Sequence, residues 1–81
     1  MDILKKIEEI SKKGYAIEYT VVDQYQNGYE EEIKKGLMPP TTYTVYVIRL
    51  EDGESIYEES FNHIEDSLKA GITYVKKILK W

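Results

Sequence analysis

The chain predicts an α+β fold in the order helix, three antiparallel strands, helix (αβββα), from three observations. The hydrophobic period runs at helical spacing near the N-terminus, switches to two through the middle, and returns to helical spacing at the end. Glycines and an Asp-Gly pair punctuate those changes. At 81 residues the chain is one domain, residues 1–81, whose single sheet must hide one face under its two helices. Both helices are therefore expected on the same face.

Each element has its own signal. Asp2 is suited to cap a first helix, Ile3, Ile7 and Ile10 recur at i, i+4 and i+7, and Gly14 supplies the stop after Lys12 and Lys13. From Tyr15, residues Tyr15, Ile17, Tyr19 and Val21 alternate with Ala16, Glu18, Thr20 and Val22, a half-buried strand. A second strand reads Tyr43 to Leu50, rich in β-branched and aromatic residues, and a third Glu54 to Glu59. Between the first two strands, Glu30–Lys34 and Glu31–Lys35 make i, i+4 pairs before Gly36, which predicts a short helical insertion ahead of Pro39 and Pro40. The last helix spans Asn62 to Lys80, with Asn62 and Glu65 as an approximate capping box and Ile64, Leu68, Ile72, Val75 and Leu79 as its apolar stripe.

Register decides which strand residues point inward. A three-residue loop, Glu51-Asp52-Gly53 with Gly53 left-handed, would pair Ile48 with Ile56. That places Tyr46, Ile48, Leu50 and Ile56 on the covered face, and Tyr43, Val45, Val47, Arg49 and Tyr57 on the open one. Tyr15, Tyr19 and Tyr46 are then expected in the core. Tyr25, Tyr29, Tyr43 and Tyr57, among eight tyrosines, are expected to be exposed or half-exposed.

Several function classes are excluded or disfavoured. There is no cysteine, hence no disulfide, thiolate metal site or cysteine nucleophile. No apolar run approaches the roughly 20 residues of a membrane span, and the start lacks a signal-peptide core, so a cytoplasmic protein of a bacterial host cell is expected. Lysine dominates the eleven basic residues, with Arg49 the single arginine, a usage expected of an AT-rich genome. His63 is the only histidine; Ser60 lies nearby, but no orienting carboxylate or oxyanion glycine motif accompanies the pair. The glycines form no phosphate loop, and the acidic runs lack calcium-loop spacing. The chain therefore reads as a non-enzyme with no cofactor and no metal. Its topology is also that of the double-stranded RNA-binding domain, which uses lysines at the start of its last helix. Here that place reads His63-Ile64-Glu65-Asp66, the wrong sign for a phosphate backbone, so direct nucleic acid binding is not expected.

Charge is the most informative feature. The net charge is −4. Residues 50–68 carry Glu51, Asp52, Glu54, Glu58, Glu59, Glu65 and Asp66 with no lysine or arginine, whereas residues 69–81 carry Lys69, Lys76, Lys77 and Lys80 with no acid. Helix dipoles explain Glu65, Asp66 and the terminal lysines, but not the five acids of the hairpin and third strand. Carboxylates on a rigid hairpin can stand where phosphates bind, in the basic groove of a nucleic-acid-handling protein. Tyrosine is also enriched at interfaces. The candidate partner-binding residues are Glu51, Asp52, Gly53, Glu54, Glu58, Glu59, Glu65 and Asp66, with Tyr25, Tyr29, Tyr43 and Tyr57.

Several of these segments resemble the small type II-A anti-CRISPR proteins of Listeria prophages. The similar features are a short first helix (Ile3-Leu4-Lys5-Lys6-Ile7-Glu8-Glu9-Ile10), a Lys13-Gly14-Tyr15 junction, and a strand end Ile48-Arg49-Leu50. An acidic hairpin Asp52-Gly53-Glu54 follows, then Glu59-Ser60 before the next helix. The insertion at 24–41 is longer than in that family, and the family's further acidic segment after the helix has no counterpart. The resemblance implies an inhibitor whose hairpin, through Asp52, Gly53 and Glu54, enters a nuclease and competes with DNA. The expected function is thus a phage-type inhibitory protein that blocks a nucleic-acid-processing defence enzyme, such as a CRISPR nuclease, through an acidic, tyrosine-rich surface. Its partner would be a protein, and the chain itself a monomer or homodimer. The alternative is a small structural or assembly protein that self-associates through the exposed sheet face.

Overall fold

The computed structural model describes residues 2–81. Its order is α1 (Ile3–Lys12), β1 (Tyr15–Asp23), α2 (Glu30–Lys34), β2 (Thr41–Arg49), β3 (Glu54–Phe61) and α3 (Ile64–Leu79). This is the α+β arrangement the periodicities predict, short insertion helix included. The three strands form one antiparallel sheet in the order β1-β2-β3. The Asp2 side chain accepts from the Lys5 amide at 3.2 Å, and Gly14, at φ 97°, turns the chain from α1 into β1.

The core lies between the sheet and the two long helices. Ile10, Val47, Ile72 and Val75 form its buried cluster, with Ile3, Ile7, Tyr15, Ile17, Ile56, Tyr57 and Leu79 packed against it. Val45 and Val47 are fully buried. The covered face is therefore the reverse of the one expected: Val45 and Val47 point under the helices, while Tyr46 and Ile48 are half-buried on the open side and Leu50 is exposed. β2 carries apolar residues on both faces, so its own pattern does not choose between them. β1 chooses, because Ile17 pairs with Val47 and must share its face.

The hairpin also departs from expectation. Arg49 pairs with Glu54, leaving Leu50, Glu51, Asp52 and Gly53 as a four-residue loop closed by the Gly53 amide donating to the Arg49 carbonyl at 2.8 Å. Gly53 is left-handed as expected, at φ 72°. Ile48 pairs with Ser55, not Ile56, because β3 bulges opposite Val47. The bulge has a physical reason: Ile56 and Tyr57 are adjacent, an unbroken strand would send them to opposite faces, and both pack against the core.

α3 starts one residue later than the Asn62 box requires. His63 is its N-cap, with no side-chain capping bond, so the box is not formed. The buried stripe of α3 is Ser67, Gly71, Ile72 and Val75, with Leu68 only half-buried. Gly71 lets the helix close onto the sheet, since a Cβ there would stand 3.1 Å from Val45 Cγ2 and 3.3 Å from Ile17 Cγ2. At the other end of the helix the Tyr74 hydroxyl donates to the Ile56 carbonyl, and its ring stacks on Tyr57 at 4.5 Å between centroids. α3 thus runs back antiparallel to β3. α2 packs against no other described helix or strand.

Candidate partner-binding surface

The acids of residues 50–68 separate in space into the hairpin group (Glu51, Asp52, Glu54), the start of α3 (Glu65, Asp66) and the open sheet face (Glu58, joined there by Glu18), with Glu59 alone on the helix side. In the hairpin group a single cation, Arg49, is shared by two of the three carboxylates. Arg49 reaches both oxygens of Asp52, the shortest contact being 2.7 Å, and one oxygen of Glu54 at 3.1 Å. The Glu54 amide also donates to Asp52 at 3.1 Å. Asp52 is consequently held below the usual carboxylate range, first by the Arg49 hydrogen bond and then by the Glu54 amide, and Arg49 is raised by the same pairing. Glu51 alone in the loop makes no ion pair among the described residues. Because α3 runs antiparallel to β3, its lysines Lys76, Lys77 and Lys80 return to the hairpin end, where Lys12 and Lys13 also lie at the end of α1. The charge segregation of the sequence is partly undone by the fold.

The second group lies at the opposite end. Glu65 and Asp66, in the first turn of α3, line a depression of about 430 Å³ with Tyr43, Asn62, His63 and Ile64. Tyr43 is half-buried there. The negative carboxylates complement the positive end of the helix dipole, which is reason enough for their presence.

The third group is on the open face of the sheet. Glu18, Tyr46 and Glu58 stand in one row across the three strands, fixed by the register Glu18↔Tyr46↔Glu58. The next row is Thr20, Thr44 and Ser60, with Thr44 and Ser60 hydroxyls bonded at 2.8 Å. The row on the other side is Ala16, Ile48 and Ser55. Glu18 and Glu58 are exposed and make no ion pair among the described residues. Neighbouring strands are about 4.8 Å apart, so the two carboxylates flank the tyrosine ring at roughly 10 Å from each other. No helix covers this face, and its rows combine one aromatic, two unpaired carboxylates and several hydroxyls, of which Thr44 is buried between its neighbours.

Glu59 and Tyr57 do not belong to it. Tyr57 lies on the helix side, stacked on Tyr74, and its hydroxyl donates to the Glu59 carboxylate. That bond to an anion, together with partial burial, pushes the Tyr57 phenol up to about 12. Tyr57 is half-buried, within the exposure expected of it, but it lies on the helix side and not on the open face where it was expected. Tyr25 and Tyr29 are exposed as expected, on the segment leading to α2, where Asp23 accepts from the Tyr25 amide at 2.9 Å. Tyr19, expected in the core, is 49% exposed.

Sequence reasoning missed Glu18 as a surface residue of interest and misplaced Tyr46 in the core. The register of β1 on β2 would have found both. Among the described residues no three His, Asp or Glu side chains come together as a metal site, and no helix is long and apolar enough to cross a membrane. No family model, curated protein or solved structure matches this chain.

Proposed function

We propose that the protein is a phage-type inhibitory binding protein that occupies the nucleic-acid site of a defence enzyme, with the open sheet face as its contact surface. The observation that carries this reading is the row Glu18, Tyr46, Glu58: two unpaired carboxylates beside an aromatic ring on a rigid, uncovered sheet. Carboxylates held by paired strands can take phosphate positions in a basic groove, and the tyrosine offers a face on which an arginine of that groove stacks. Glu51 is exposed and unpaired in the hairpin loop and adds a further free carboxylate. Asp52 and Glu54, bound to Arg49, contribute shape to the hairpin more than free charge. The resemblance to type II-A anti-CRISPR proteins makes a type II-A CRISPR nuclease the first enzyme to test.

The test is DNA cleavage by a guide-loaded type II-A CRISPR nuclease, with the protein added before or after the DNA. The reading predicts inhibition only when the protein is added first, relieved by excess DNA and weakened by salt. If the proteins do not associate, that target is wrong. If they associate and DNA binding is unaffected, the mimic reading itself fails.

A further inference from the structure

The two edges of the sheet are not alike. β3 carries Glu54, Glu58 and Glu59 along its length, charges of the kind that keep an edge from pairing. β1 has no such protection over its middle, where Ile17, Glu18, Tyr19, Thr20, Val21 and Val22 hold a single charge. The backbone of β1 shows which groups are free. The Leu50 amide donates to the Gly14 carbonyl at 3.0 Å and the Gln24 amide to the Pro40 carbonyl at 2.9 Å, continuing the β1–β2 ladder at its two ends. Even-numbered residues therefore direct their backbone groups to β2, and Tyr15, Ile17, Tyr19, Val21 and Asp23 direct theirs outward. With sheet order β1-β2-β3, no described strand accepts them.

We infer that this edge pairs with a second copy of the chain, β1 against β1 in antiparallel fashion, about a twofold axis at Tyr19. The register follows from the sequence itself. Tyr19 is the midpoint of Tyr15–Asp23, so self-pairing there uses the whole strand. It sets Ile17 opposite Val21 of the other copy and Glu18 opposite Thr20, with no like charges facing. Tyr15 meets Asp23, and Lys12 and Lys13, just before Tyr15, approach that aspartate, so opposite charges meet at both ends. All five outward residues become hydrogen-bonded pairs. Side chains agree as well. Tyr19 and Val21 share the helix-side face with Ile17, yet are 49% and 56% exposed where the strand runs out from under the helices. Pairing brings that bare half beside the half of the other copy where Tyr15 and Ile17 pack against the core. The open face with Glu18, Tyr46 and Glu58 stays free, so this association is independent of the inhibitory reading.

Sedimentation velocity over a wide concentration range, with the full chain, tests it. A species of twice the 9.5 kDa chain mass is expected. Tyr19→Lys sets two like charges on the axis at an exposed position, and should weaken the dimer by more than about tenfold while the circular dichroism spectrum is kept. In hydrogen exchange the amides of Ile17, Tyr19 and Val21 should be protected in the dimer and exposed in that variant. The chain has no cysteine, so Tyr19→Cys should join two copies through a short bismaleimide, each thiol adding across one maleimide double bond. Asp23→Cys, whose two copies would lie about 26 Å apart, should not. A monomer at every concentration overturns the proposal, as does a dimer that survives Tyr19→Lys with unprotected edge amides.

Discussion

Replacing Gly71 by alanine sets two known effects against each other. Gly71 lies inside α3, where alanine is preferred over glycine by about 1 kcal/mol. The added Cβ would stand 3.1 Å from Val45 Cγ2 and 3.3 Å from Ile17 Cγ2, inside the 3.5–4.0 Å of a relaxed carbon contact. Val45 is fully buried in the central strand and cannot swing aside. Overpacking of this kind costs about 1–3 kcal/mol, so the net expectation is a loss of about 1 kcal/mol, or roughly 4–8 °C in Tm. Urea unfolding followed by circular dichroism measures it, with Thr73→Ala, at an exposed site on the same helix, as the control that should gain a few tenths of a kcal/mol. Val45→Ala should make room for the methyl group, so the double variant should lose less than the sum of the two. If Gly71→Ala gains the full propensity term, α3 does not sit on the sheet at this distance.

Three further outcomes follow from the packing and the hairpin. Ile72, 2% exposed, should lose about 2–5 kcal/mol on truncation to alanine, read by the same urea titration. Gly53→Ala meets no neighbouring atom but keeps a left-handed backbone, so it should lose about 1 kcal/mol through strain alone. Tyr57, raised from about 10 to about 12, is protonated in the fold where the unfolded chain ionises. Its stability contribution is complete below pH 10 and is lost as pH rises toward 12, and Tyr57→Phe should flatten that decline in melts taken across the range.

The helices and strands were legible because each carries its own period and its own stop, such as Gly14 after α1. The orientation of the central strand was not. Tyr43, Val45 and Val47 balance Tyr46, Ile48 and Leu50 in size and polarity, and only pairing with Ile17 of β1 breaks the tie. The adjacent pair Ile56-Tyr57, followed by the polar run Glu58-Glu59-Ser60, was a signal of the bulge, since two neighbouring apolar residues seldom both reach a core without one. The candidate surface was partly legible. The excess of acids is real, but sequence distance hid that Arg49 would fold onto Asp52 and Glu54 and that α3 would bring lysines to the hairpin end. It also hid Glu18, which reaches the row of Glu58 only through strand pairing.

The most direct test of the proposed function is the double variant Glu18→Gln, Glu58→Gln, compared with wild type for inhibition of DNA binding by the type II-A CRISPR nuclease proposed as its target, at two salt concentrations. Both side chains are exposed and unpaired, so Tm should stay unchanged. The account predicts inhibition weakened by at least about tenfold, with a shallower salt dependence. Undiminished inhibition by the double variant, with an unchanged salt slope, would contradict it.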